Sequence, residues 1–98
     1  MSHGIREGDL FAYHHRFFQV TATSERSVVV RPIAWRADGS GARIALRDEF
    51  ATFYGFDAVR SARGKRCKVL PDGSILLRHA PRMIATPSDG RTEPPWLR

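Results

Sequence analysis

Turn residues divide this chain of 98 residues into short segments, and most of these segments alternate between two faces with a period of two. In residues 17–23, for example, Phe18, Val20 and Ala22 fall on one face, and Gln19 falls on the other. Such alternation predicts β-strands with one buried face, because β-branched and aromatic residues dominate these segments. Short strands at this spacing predict a small barrel or sandwich rather than a parallel sheet with crossover helices.

About six short strands are expected, joined by tight turns. His14 and His15 are predicted to form the bend of the first hairpin, and Pro-Asp-Gly at residues 71–73 marks a later turn. Pro32 cannot donate a hydrogen bond to a neighbouring strand, so the strand that contains it is expected to be an edge or to bend there. The predicted strands cover residues 10–14, 17–23, 27–35, 43–46, 65–70 and 74–78, with a further short candidate at 83–85.

Residues 48–56 break this pattern and predict one short helical turn. Phe50, Phe53 and Tyr54 have the i, i+3, i+4 spacing of one helical face, and Asp48 can cap the N-terminus. Because phenylalanine, threonine and tyrosine also favour sheets, a strand over the same residues is the alternative.

The length and composition predict one domain with a modest core over residues 1–86. Residues 87–98 contain three prolines and few apolar residues, and are predicted to form a flexible C-terminal tail. With a single cysteine and no run of apolar residues long enough to cross a bilayer, the sequence favours the cytoplasm and no contact with a membrane. The charged residues near the N-terminus are incompatible with a signal peptide.

The net charge of +6 favours an acidic partner such as nucleic acid or an acidic protein surface. Fourteen of the 16 cationic residues are arginine. Arginine offers a planar, forked donor that suits phosphate and carboxylate. Codon bias in a genome rich in G and C is the alternative explanation of this excess.

The segments GDLF, RFFQV and SVVVRPI within residues 8–33 resemble the opening of small SH3-like barrels, the group that includes Tudor and KOW modules. In these domains a Gly-Asp pair enters the first strand, and a run of valines forms a later one. The resemblance covers about a quarter of the chain and implies a binding module rather than an enzyme. The segment DEFATFYGFDAVRSARG departs from the pattern, because it is longer than the usual connection.

No motif for catalysis or for metal binding accompanies this pattern. Adjacent strand residues point to opposite faces, so His14 and His15 cannot both bind one ion in a strand. Cys67 lies among cations that could lower the pKa of its thiol, but nothing in the sequence places a general base beside it. The sequence therefore predicts no enzyme activity, no metal site and no cofactor.

The segment between residues 60 and 68 concentrates positive charge, with five cations in nine residues and no acid. Such a stripe can follow a phosphate backbone, and each contact releases counterions. A solvated loop is the alternative. The five cations are Arg60, Arg63, Lys65, Arg66 and Lys68.

Exposed aromatic residues beside arginine provide stacking surfaces for unpaired bases, or anchors for a protein partner. Tyr13, Phe17 and Trp35 are the candidates for exposure, and Arg31 and Arg36 are expected near the rim of the basic stripe. The leading hypothesis is a non-enzymatic module that contacts nucleic acid mainly through phosphates. The alternative is a small adaptor or inhibitor that docks onto an acidic protein or a nucleoprotein complex.

Overall fold

The computed structural model describes residues 3–50 and 64–93, and these residues form eight β-strands and no helix. Every strand pairs with its neighbours in the antiparallel direction. The strands are β1 (Leu10–Tyr13), β2 (Arg16–Thr23), β3 (Ser27–Ala37), β4 (Arg43–Phe50), β5 (Lys65–Val69), β6 (Ile75–Arg78), β7 (Met83–Ser88) and β8 (Arg91–Thr92).

Six of these strands close into a barrel. The sheet order runs β2-β1-β7-β6-β5-β3, and an additional pairing of β2 with β3 completes the ring. Strands β4 and β8 continue the sheet from β3 and form a layer outside the barrel, here called the outer layer. The mostly β fold is therefore confirmed, and at fold level it is consistent with an SH3-like barrel.

The barrel interior is filled by apolar side chains from all six strands. Phe18 and Val28 are fully buried, and so is Leu77 on the opposite wall. The predicted alternation is confirmed in β1, where Phe11 and Tyr13 face the interior, and in the first part of β3, where Val28 and Val30 do. The interior cluster consists of Phe11, Phe18, Val20, Val28, Val30, Cys67, Ile75, Leu77, Met83 and Ala85.

A second, smaller cluster lies between the outside of the barrel and the outer layer. Leu10, Phe17 and Ile33 are buried there, and Ala45 and Phe50 of β4 pack against them. The first hairpin is therefore buried on both faces. This explains why residues 8–33 carry aromatic residues on both sides of the alternating pattern.

A bulge in β2 changes the predicted faces near the end of that strand. Val20 pairs with Val30, but Ala22 pairs with Val29, so Thr21 is an extra residue in β2. Ala22 is exposed as a result, and its predicted placement beside Phe18 and Val20 is wrong. A bulged residue shifts the alternation of faces by one position, and the pattern of apolar residues does not reveal this shift.

The segment predicted as a helical turn begins instead as strand, because residues 48–50 belong to β4. The rest of that segment, residues 51–56, lies outside the described residues. Sheet pairing supplies the reason, since Phe50 pairs with Ile33 and packs in the second cluster. The competing strand interpretation is the correct one for these three residues.

Strand structure also extends beyond residue 86. Pro87 pairs with Phe11 in β7, and Arg91 and Thr92 form β8, whereas residues 94–98 lie outside the described part. The β6–β7 ladder ends at Ala85, so Pro87 has a strand on one side only and its missing N–H disrupts no ladder there. Pro32 is similar, since the β3–β5 ladder ends at Val30.

The described residues contain no helix that could cross a membrane.

Candidate nucleic-acid interface

Strand β5 carries the described part of the basic stripe. Cys67 points into the barrel, and its neighbours Arg66 and Lys68 are both exposed on the outer face. Arg66 lies opposite Val29, and Lys68 lies opposite Ser27, so the two cations border β3. The prediction that Arg66 and Lys68 share a face is confirmed.

Two serine hydroxyl groups hold the guanidinium of Arg66. Its Nη1 donates to Oγ of Ser27 at 2.9 Å and to Oγ of Ser24 at 3.3 Å. The two hydroxyl oxygens lie 2.7 Å apart. Because hydroxyl groups carry no net charge, they fix the guanidinium without neutralising it, and no ion pair between described residues involves Arg66 or Lys68.

Lys65 occupies a different position from its two neighbours. Lys65 is the first residue of β5 and is only half-exposed. Its side chain lies on the same face of the strand as Cys67, opposite to that of Arg66. It therefore does not extend the row formed by Arg66 and Lys68. Arg60 and Arg63, which were predicted to precede it in the stripe, lie outside the described residues.

Arg31 emerges on the outer face of β3 but packs against the outer layer. Its guanidinium carbon lies 4.3 Å from the centre of the Phe50 ring, and its Nε is buried without a hydrogen-bond partner. Gly64, immediately before β5, lies so close to Arg31 that a Cβ there would come within 2.9 Å of the Arg31 Cγ. Arg31 therefore borders the stripe but directs its charge towards an aromatic ring.

Trp35 and Arg36 lie farther along β3, where that strand pairs only with β4 among the described strands. Both side chains are exposed, and Trp35 is the exposed large hydrophobic residue of the described part, at 42%. Its predicted exposure is confirmed. The β3–β5 ladder ends at Val30, so the structure does not place Trp35 and Arg36 beside Arg66 and Lys68.

Arg43 is a residue that the sequence reasoning did not single out. Its guanidinium carbon lies 3.9 Å from the centre of the Trp35 ring, and its Nη1 donates to the carbonyl oxygen of His15 at 3.2 Å. The contact depends on the β3–β4 register, in which Trp35 pairs with Ala45. Sequence analysis predicted both strands but not their register, which would have been needed to find Arg43.

The other two aromatic candidates are less exposed than expected. Tyr13 is half-buried, packs against the interior cluster and meets the His14 ring edge-on, with ring centres 4.3 Å apart. Phe17 is buried at 1% exposure beneath the outer layer. Both expectations of an exposed ring fail, because each ring packs against apolar neighbours.

His14 and His15 form the two-residue turn between β1 and β2, as predicted. His14 adopts a φ of 56°, the left-handed conformation required by the tight bend. Among the residues that the structure describes, no three histidine, cysteine or acidic side chains come close enough together to hold a metal ion.

Cys67 is buried in the barrel, where it faces apolar side chains. Burial raises the pKa of its thiol to about 11, against a smaller lowering by the charge of Lys65. A thiol in this environment stays protonated near neutral pH. The neighbouring cations therefore do not activate it as a nucleophile, contrary to the possibility raised by the sequence.

No protein-family model, curated protein or solved structure matches this chain.

Proposed function

We propose that the protein is a non-enzymatic module that binds nucleic acid through phosphate contacts made by the outer face of β5. The observation that carries this proposal is the row of Arg66 and Lys68, which emerge together from a rigid strand. Their Cα atoms are two residues apart, which corresponds to roughly 6.6 Å along a strand. A cation at each of these positions suits a ligand with regularly spaced negative charges, such as a phosphodiester backbone.

The contacts of Arg66 support the same proposal. A guanidinium held by Ser24 and Ser27 is already oriented, so less side-chain entropy is lost when it meets a phosphate. Its charge is not neutralised by a carboxylate among the described residues. The resemblance to Tudor and KOW modules also favours binding over catalysis, and a reducing cytoplasm suits the unpaired Cys67.

The test is a comparison of binding to a labelled DNA duplex, the matching single strand and its RNA equivalent. The variant Arg66→Glu with Lys68→Glu removes two charge-assisted contacts, worth about 1.5–3 kcal/mol each. Because the two contacts together correspond to about 3–6 kcal/mol, affinity is expected to fall by at least about 100-fold. The slope of log affinity against log salt, between about 50 and 200 mM, should become shallower by roughly 2 on the duplex.

A matched control reverses two exposed cations elsewhere, Arg6→Glu with Arg16→Glu. Arg6 precedes β1 and Arg16 begins β2, so neither belongs to β5 or to the serine pair that holds Arg66. The control changes the net charge equally but should lower affinity by less than about tenfold, since only long-range attraction changes. An equal loss in both double variants would show that net charge, and not the β5 face, determines binding.

The adaptor hypothesis makes a different prediction for the same wild-type and variant chains. If the wild-type chain binds none of the three nucleic acids, the proposed function is wrong. A protein captured from a nuclease-treated lysate, and lost on Arg66→Glu with Lys68→Glu, would then identify the β5 face as a protein-docking surface.

A further inference from the structure

The indole of Trp35 is covered by Arg43 on one face and keeps part of its surface exposed to solvent. Arg43 covers the closed face with its guanidinium carbon 3.9 Å from the ring centre. The remaining 42% exposure leaves indole surface in contact with solvent. An aromatic ring with one free face provides space for one further flat ring.

The indole is also supported by a braced hairpin. Arg43 donates to the His15 carbonyl, which ties β4 to the β1–β2 turn. At the hairpin tip, the backbone N–H and the hydroxyl of Ser40 donate to Asp38 at 2.9 and 2.6 Å. Arg91 of β8 pairs with the other carboxylate oxygen of Asp38 at 2.8 Å. These contacts hold the ring in place before a ligand arrives, which lowers the entropic cost of stacking.

The charges near the indole favour a nucleotide as the stacking partner. Arg43 lies against the ring, whereas Arg36, the next residue of β3, is exposed on the opposite face of the strand. A cation beneath the ring draws electron density away from the open face, which suits stacking with an electron-rich base. The guanidinium of Arg43 also suits the phosphate attached to that base.

We infer that Trp35 is a stacking platform for an unpaired base, so that the nucleic acid bound by this protein is single-stranded or has a single-stranded segment. This inference rests on the proposed function of the β5 face. Trp35 follows Val29, the partner of Arg66, by six residues in β3. That separation is roughly 20 Å along a strand, so several nucleotides must bridge the two contacts. A base inside a duplex is stacked on both sides and cannot reach the indole.

The experiment uses the fluorescence of Trp35 in a chain that carries Trp96→Phe, so that a single indole reports. Titration with a single-stranded oligonucleotide of about 12 nucleotides, within the site sizes of single-strand-binding barrels, should quench the indole. The matching duplex should bind through the β5 face without quenching. Absence of quenching by any single strand that binds would overturn the inference.

Substitution gives a second readout. Trp35→Ala should lower the affinity for the single strand roughly 5- to 100-fold and leave the affinity for the duplex and the salt slope unchanged. Trp35→Phe, which keeps a stacking ring, should recover most of that loss and thereby excludes simple misfolding. Equal losses on both nucleic acids, or no loss on the single strand, would contradict the platform.

The two proposals fail in different ways. If Arg66→Glu with Lys68→Glu abolishes binding while Trp35→Ala changes nothing, the β5 face binds phosphates and the stacking inference is wrong. If Trp35→Ala weakens binding while the charge reversal has no effect, the β5 proposal is wrong and the indole acts without it.

Discussion

The barrel and the outer layer are stabilised in different ways. The barrel encloses an apolar interior with contributions from six strands, and its large side chains are fully buried. The outer layer covers only three buried apolar residues of the barrel strands and depends on directed polar contacts. Among them, Arg47 Nη1 donates to the Gly8 carbonyl at 2.6 Å, and Ala45 N donates to the Gly90 carbonyl at 2.8 Å.

The contact between Gln19 and Asp48 shows the difference most clearly. Gln19 is 6% exposed, and its side-chain amide donates to the Asp48 carboxylate and accepts from the Asp48 backbone N–H, both at 2.8 Å. Asp48 has a φ of 66° and lies where the β3–β4 register shifts. The amide side chain therefore replaces a missing ladder contact. The barrel interior is stabilised by apolar packing among many side chains, whereas the outer layer depends on a few individual hydrogen bonds of this kind.

The largest effect is expected in the barrel interior. Phe18→Ala should lower the free energy of unfolding by about 3–5 kcal/mol, because it leaves a cavity among residues that cannot collapse. Urea denaturation followed by circular dichroism measures this loss. Phe18→Leu is the matched control, and about 1 kcal/mol is expected for it. A loss below about 1 kcal/mol for Phe18→Ala would contradict the tightly packed interior.

A smaller and more local effect is expected at Gln19. Gln19→Leu leaves the Asp48 N–H without its partner, and about 1–3 kcal/mol should be lost. Hydrogen exchange should accelerate in β4 but not in β6 or β7. Uniform acceleration in all strands would show instead that the outer layer and the barrel open together.

Acid should loosen the hairpin tip with a still smaller effect. Hydrogen bonds from Ser40 lower the pKa of Asp38 from 3.8 to about 2, with Arg91 adding to the shift. A lowered pKa means that the contribution to stability is complete above pH 3.8 and is lost as the pH falls towards 2. NMR titration of the Asp38 carboxyl carbon measures the midpoint, and Arg91→Ala should move it upwards. A midpoint near 4 in the wild-type chain would exclude these contacts in solution.

The smallest effect is expected for labelling of the Cys67 thiol in the native protein. The labelling rate distinguishes opening of the barrel from opening of the outer layer. Burial and a raised pKa predict that a thiol reagent at pH 8 leaves the native protein unmodified. Labelling should accelerate in Phe18→Ala and remain slow in Gln19→Leu, since only the first substitution opens the barrel. Rapid labelling of the wild-type chain would contradict a closed interior.

The sequence predicts the barrel strands well because alternation directly reports a face that is buried. It predicts the first half of β4 but not that the outer layer packs on the first hairpin, because an apolar residue on the second face of a strand carries no sign of what covers it. Phe17 illustrates this point, since it was expected to be exposed and lies under β4. The bulges at Thr21 and near Ile33 are set by pairing between strands, which no local pattern specifies.

The candidate site was predictable to a similar degree. Arg66 and Lys68 share a face because of their spacing alone, and Trp35 is exposed as expected. Arg31 and Arg43 each cover an aromatic ring, and both contacts depend on which strands meet. Charge and spacing thus identify candidate cations, whereas the strand register determines which of them already contact an aromatic ring of the same protein.

Closure of the barrel has a consequence for crowded solutions. Each of the six barrel strands is hydrogen-bonded on both sides, so within the described part the open sheet edge falls to β4 and the two residues of β8. This edge carries the exposed charges of Arg47, Asp48 and Glu49 in β4, and the positive φ of Asp48 interrupts it, so it gives a second chain a poor template for cross-β growth. The native protein should therefore resist amyloid formation even though its strands, once unfolded, are rich in valine and phenylalanine.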